Sequence, residues 1–262
     1  MEERCLDGNP LTYSTNHHRY APCLVMLHPA FGDGNFFAEQ IKVLQPDYKL
    51  IVPDLLGHGA SQTPGKIVDT TKWLLEILAA EGVTSVHLLG ISLGGLLAQD
   101  FANHHPDRTT SLFCVGAYDI NHYSMEVQKD VGSTQMKMFL KVIFNKKAFA
   151  KDLMATSAVT PEAQDLVYRS CLEFPKRSFS YLSSLNGIFN KFETEQRPYP
   201  LGIAVGSEDA PGAVKEAQAW HQREPASEFY IIEGAGHLAN LDRPEFFNQI
   251  LLDFFSRASS FK

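Results

Sequence analysis

The chain has 262 residues, 44% of them hydrophobic and 20% charged, a balance typical of one folded α/β body rather than a disordered or fibrous chain. Its net charge of −7, with no Lys/Arg run longer than Lys146-Lys147, argues against a nucleic-acid surface, and no apolar stretch reaches the roughly 18 residues of a membrane span. The amino-terminal MEERCLDGNPLTYS lacks the basic, apolar and small-residue regions of a secretion signal, so a cytoplasmic location is the expectation. Cys5, Cys23, Cys114 and Cys171 show no CxxC or zinc spacing and are read as reduced thiols.

In chain order, short apolar runs recur at CLVML (23–27), KLIVP (49–53), SVHLLG (85–90), SLFCVG (111–116), LGIAVG (201–206) and EFYIIEG (228–234). Their hydrophobicity is continuous rather than alternating, which predicts strands covered on both faces of a mostly parallel central sheet flanked by helices. Crossover helices are predicted at Asp69–Glu81, with Asp69 as cap and Trp73, Leu74, Ile77 and Leu78 as the apolar stripe, and at Leu93–His105 before Pro106. Two more are expected at about Gly212–Arg223 and at Pro244–Ser256, where Phe246, Phe247, Ile250, Leu251 and Phe254 mark the buried face.

The strand-helix rhythm stops between Tyr118 and Pro200, a stretch with helical patterning, no convincing strand, and the aromatics Phe139, Phe144, Phe149, Tyr168, Phe174, Phe179, Tyr181, Phe189 and Phe192. Structureless loops of that length are rare. Residues 119–199 are therefore expected to form a helical lid above the carboxyl ends of the strands, and 1–118 with 200–262 the core. A helical extension of that core is the alternative.

Chemistry concentrates at Gly90-Ile91-Ser92-Leu93-Gly94, a G-x-S-x-G placed after an apolar strand and before a helix. The pentapeptide alone matches by chance in roughly one chain in ten, and a serine there could simply cap the helix. Its context is that of a nucleophile elbow, where a sharp turn needs glycines on either side of the serine. A serine hydroxyl is a poor nucleophile at neutral pH. It needs a base to take its proton and a third group to fix that base's tautomer. His237, in a loop made supple by Gly234 and Gly236, and Asp209, in VGSED, each follow a predicted strand, so that with Ser92 all three fall at the carboxyl ends of strands, where they converge. Asp119, after the strand ending at Gly116, is the alternative acid, and Glu208 reads as a solvated neighbour.

On the segments LVMLHPAFGDG, VPDLLGHGAS, GISLGG, VGSED and GAGHLANLDRPEFF, the chain resembles the α/β-hydrolase superfamily, in particular its serine-nucleophile, lid-containing, esterase-like members. The resemblance runs from near His28 to the closing helix and leaves out only the lid. It implies Ser92, Asp209 and His237 as a catalytic triad, and the backbone N–H groups of Ala30 and Leu93 as the oxyanion hole. Such donors can each be worth about 3 to 4 kcal/mol. Pro29 departs from the family pattern, where glycine usually follows the histidine. Proline fixes its own φ, so Phe31 is an alternative donor to Ala30. Phe31 and Ile91 are assigned to substrate contact. His28 is expected to brace the oxyanion turn, and Asp54, Gly57, His58 and Gly59 to shape a neighbouring tight loop.

The implied reaction is hydrolysis of a carboxylic ester or thioester of a small, largely apolar molecule through an acyl-enzyme. Carbon–carbon hydrolysis, lyase or perhydrolase chemistry on the same triad is an alternative, and a non-catalytic ligand receptor or signalling partner is another of a different class. No metal, cofactor or nucleic-acid partner is expected, because no metal-ligand or phosphate-cradling motif occurs. The oligomeric state is left open.

Overall fold

The computed structural model describes residues 1–123, 141, 144–182, 184–192 and 197–259. Its strands are β1 (Glu2–Cys5), β2 (Thr12–Thr15), β3 (Cys23–Leu27), β4 (Lys49–Pro53), β5 (Val86–Ile91), β6 (Thr109–Val115), β7 (Leu201–Gly206) and β8 (Glu228–Ile232). They form one sheet in the order β1-β2-β4-β3-β5-β6-β7-β8, antiparallel at β1-β2 and β2-β4 and parallel throughout the rest. The six expected strands are present within two residues of their predicted limits.

Two strands were not foreseen. β1 and β2 bring polar sequences, EERC and TYST, to one edge of the sheet, where one face meets solvent and the apolar signal is weak. At the opposite edge β8 departs from the expectation of burial on both faces, with Ile231 43% exposed.

The helices are α1 (Ala38–Leu44), α2 (Thr70–Ala80), α3 (Leu93–His104), α4 (helical through 144–157), α5 (Pro161–Glu173), α6 (Phe179–Leu182), α7 (Pro211–Arg223), α8 (Ala239–Asp242) and α9 (Pro244–Ser259). The apolar side chains of α2, α3 and α7 pack on one face of the sheet and those of α1 and α9 on the other, so the parallel strands from β4 to β7 are covered twice. In α2 the predicted stripe of Trp73, Leu74, Ile77 and Leu78 is buried. Asp69 is not the expected side-chain cap: it lies in a short 3-10 turn with φ −84°, ψ 3°, and its carboxylate makes no capping bond.

In α9 the buried face runs through Phe247, Ile250, Leu251, Phe254, Phe255 and Ala258, at helical spacing. Phe246, predicted on that face, is one residue out of phase and 57% exposed. Between β6 and β7, α4 and α5 pack through Phe149, Ala150, Cys171 and Phe174 onto Phe31, in the turn after β3. Phe144, counted among the packed aromatics of this stretch, is 82% exposed, and Phe139 lies outside the described residues. Among the described residues no helix is long and apolar enough to cross a membrane.

The chain leaves β3 for β4 on one side, then returns to β5 on the other. Crevices open at the carboxyl ends of strands where the winding reverses in this way. The turns after β3 and β5 therefore face one another across that crevice.

Candidate active site

Ser92 follows β5 with φ 53° and ψ −115°, a conformation that only a tightly held non-glycine residue keeps. Its N–H donates to Val115 O at 2.8 Å, which ties the turn to β6. The flanking glycines are required by close approach. A Cβ on Gly94 would stand 1.9 Å from Leu27 O, and one on Gly90 would stand 2.4 Å from Gly94 O. Strand β5, helix α3 and the end of β3 thus meet backbone to backbone, and the serine is lifted at the apex of the bend.

A cavity of about 200 Å³ opens above Ser92, lined also by Pro29, Ala30 and Phe31 from the turn after β3, and by His237 and Leu238 from the loop after β8. Leu153 and Ser157 of α4 and Val167 of α5 form its far wall. No local pattern in the sequence marked these three. Their spacing is that of any amphipathic helix, and only the tertiary arrangement selects the residues that face Ser92.

His237 donates from Nδ1 to Asp209 Oδ2 at 2.9 Å, which leaves Nε2 as the unprotonated nitrogen of the neutral ring. The ring lies against Gly116, where a Cβ would come within 3.0 Å of it. Asp209 is buried, and its Oδ1 accepts the Ala210 N–H at 2.7 Å, so the carboxylate is fixed on both oxygens. Glu208 is exposed. Asp119 lies in a different cluster: its carboxylate accepts from Arg223 at 3.2 Å, contacts His122 Nδ1 at 3.0 Å and has Arg197 at 3.8 Å. His237 is thus paired with Asp209.

The turn after β3 closes with Gly32 N–H donating to Pro29 O at 3.1 Å, and Phe31 takes φ 67° at its third position. The Phe31 ring is held edge-on by Phe149 and Phe174, with centroids 5.3 and 5.0 Å away, while Ser170 Oγ donates to its carbonyl at 2.5 Å. Helices α4 and α5 therefore secure the outer side of this turn. Ile91, assigned to substrate contact, is instead fully buried among core side chains such as Leu89 and Val115. Alternation along β5 turns its side chain into the α1/α9 layer, away from the cavity.

Beneath the turn, Leu55 N–H donates to His28 Nε2 at 2.8 Å, so Nδ1 carries the proton and donates it to Pro29 O at 2.8 Å. His58 packs edge-on beside it, with ring centroids 5.1 Å apart. Asp54 accepts from Gly34 N–H at 2.9 Å and Ala60 N–H at 2.8 Å, which draws the 54–61 loop against the segment after β3. Burial lowers His28 to a pKa of about 4 and His58 to about 3, and His87, within β5, to about 4.

All three histidines fold in the neutral form, whereas an unfolded chain protonates them below about pH 6.5. The unfolded state then binds more protons, so stability is fully present above pH 6.5 and declines as the pH falls toward 4. Each histidine contributes a slope of up to about 1.4 kcal/mol per pH unit. Asp54 and Asp100, whose carboxyls burial pushes up, act in the opposite sense only at the acid end. Urea midpoints should therefore fall steeply between pH 6.5 and 4.5. A flat profile across that window would show the three rings to be hydrated.

The sequence model of the family described as "alpha/beta hydrolase fold" matches residues 22–159. A putative carbamate hydrolase, RutD of Escherichia coli O157:H7, is 24% identical over 254 residues, covering 93% of this chain and 94% of its own. A thermophilic esterase from Thermogutta terrifontis superposes with a TM-score of 0.76 at 21% identity, covering 95% of this chain and 94% of its own. The enol-lactonase from Burkholderia xenovorans LB400 does so with a TM-score of 0.79 at 18% identity, covering 97% and 100%. With more than half of its length matched by that sequence model, and with the same fold along almost its whole length in both solved structures, the chain belongs to the alpha/beta hydrolase fold family.

Proposed function

We propose that this alpha/beta-fold hydrolase cleaves small carboxylic esters or thioesters through an acyl-enzyme formed on Ser92. The observation that carries the reading is the strained Ser92 facing the same cavity as a histidine whose far nitrogen is already committed to a buried carboxylate. In this reading His237 Nε2 takes the Ser92 proton as Oγ attacks the carbonyl carbon. The N–H groups of Ala30 and Leu93 receive the charge that develops on the carbonyl oxygen. Protonated His237 then gives its proton to the departing alcohol or thiol, and water attacks the acyl-enzyme with the same ring as base. Asp209 holds the tautomer and steadies the imidazolium.

Ala30, on the cavity wall beside Ser92, serves as the donor from the turn after β3, with the Phe31 N–H as the alternative. Leu93 stands in the first turn of α3, where helix N–H groups lack intrahelical acceptors. The names of the relatives point the same way, since a carbamate, an ester and a lactone each present a carbonyl bonded to a heteroatom leaving group. Residues 119–199 serve in this reading as the lid, a role supported by Leu153, Ser157 and Val167 on the cavity wall.

A cavity of about 200 Å³ has room for about seven water-sized groups at roughly 30 Å³ each. It suits a short acyl chain. Across p-nitrophenyl esters from acetate to a long chain, kcat/KM is expected to peak at two to four carbons and to fall more than about tenfold by octanoate. Inertness across the whole series would remove the esterase reading and favour carbon–carbon hydrolysis, a lyase or a receptor.

A further inference from the structure

Asp242 is the last residue of α8 and stands two residues before Pro244, which opens α9. Oδ1 accepts from Val159 N–H at 2.9 Å, Thr160 N–H at 2.8 Å and Thr160 Oγ1 at 3.0 Å, while Oδ2 accepts from Gly236 N–H at 2.9 Å and lies 3.1 Å from the Val159 nitrogen. The side chain is buried, and its charge is met by backbone and hydroxyl donors from two segments more than 70 residues apart in the chain. One is the corner between α4 and α5. The other is the residue just before His237.

The residue just after His237 is held from the same corner, because Leu238 N–H donates to Ser157 O at 2.9 Å. The corner also packs directly on the loop: a Cβ on Gly236 would stand 3.2 Å from Ser157 O and 3.3 Å from Asp242 Oδ2. His237 is therefore pinned on both sides. Each pin runs to the wall of the cavity that Ser157 lines. A carboxylate serving only α9 would face that helix's own first N–H groups rather than residues 159, 160 and 236.

We propose that Asp242 is a positioning residue for the reaction: it locks the His237 loop to the α4–α5 corner, so that the base and the cavity wall keep one geometry. The inference rests on the reading of His237 as the base. Replacing one carboxylate oxygen by an amide NH2 in Asp242→Asn sets a donor against the donors of Val159 or Gly236 and releases one side of the loop. A displacement of about 1 Å at a reacting group can cost on the order of 100-fold in rate.

The experiment compares native protein, Asp242→Asn, Asp242→Glu and His237→Ala on p-nitrophenyl acetate, with active sites counted by a fluorophosphonate taken to completion. For Asp242→Asn, kcat per titrated site should fall about 100-fold with KM changed less than about threefold, and Asp242→Glu, which keeps the charge but displaces its oxygens, should fall about tenfold. A purely structural Asp242 would lower the melting temperature and the titrated fraction while leaving kcat per site within about threefold of native, which overturns the proposal. Should Asp242→Asn fail to fold, Asp242→Glu decides alone by the same criterion. Full activity in His237→Ala would instead overturn the reading on which the proposal rests, whatever Asp242 does.

Discussion

Ser92→Ala is expected to lower kcat on p-nitrophenyl acetate by on the order of 10⁵-fold while leaving the fold and the melting temperature close to native. The magnitude follows from what the hydroxyl does in the proposed reaction. Without it no acyl-enzyme forms, and His237 can act only on water, with the oxyanion donors supplying a small residual rate. The fold should tolerate the change because the φ of 53° is imposed by the contact of Gly90 and Gly94 with neighbouring backbone, and alanine meets the same steric cost there as serine. Ser92 Oγ is a cavity group, so its loss leaves no buried partner stranded. Labelling by a fluorophosphonate should disappear together with turnover. If Ser92→Ala kept a tenth of native activity, another nucleophile would have to be sought and the elbow would be structural.

The layout that produces this site was readable from sequence where apolar burial is two-sided. β3, β4, β5 and β7 are buried at every position, so their runs stand out without any periodicity. The turns behind them were readable too, because an elbow and its neighbouring loops restrict residue types. What escaped was governed by partners remote in the chain. β2 owes its existence to pairing with β4, and β1 to pairing with β2, and nothing in EERC or TYST announces it.

Ile91 was assigned to substrate contact, but side chains alternate between the two faces of a strand and that of Ile91 belongs to the α1/α9 layer. Leu153, Ser157 and Val167 sit on helices whose amphipathic pattern serves the packing on Phe31 as much as the cavity. Asp242 was not singled out in the sequence, because its partners, at 159, 160 and 236, come together only once α8 is brought beneath the α4–α5 corner.

Asp209→Asn and Asp119→Asn should separate cleanly, one in rate and the other in stability. The sequence allowed either aspartate to orient the base. The geometry places only Asp209 in contact with His237, at 2.9 Å, with its second oxygen already taken by Ala210 N–H. An asparagine at 209 can present either an amide oxygen or an amide NH2 to the ring. The NH2 would favour the tautomer with the proton on Nε2, the nitrogen that must accept from Ser92, and the oxygen would leave the imidazolium without a counter-charge. A loss of about 10⁴-fold in kcat is expected, with KM little changed.

Asp119 faces Arg223, Arg197 and His122, and its side chain is almost wholly buried. Neutralising it weakens the bond to Arg223, about one-third exposed, and the longer contact with buried Arg197, which keeps its bonds to Glu224 at 2.9 and 3.0 Å. The cost is about 1 to 3 kcal/mol, or roughly 2 to 12 °C in melting temperature for a chain of this size. Its kcat per titrated site should stay within a few-fold of native. A reversed outcome, with Asp119→Asn slow and Asp209→Asn merely less stable, would mean that His237 changes partner when substrate binds. The 2.9 Å contact would then belong to the resting enzyme alone.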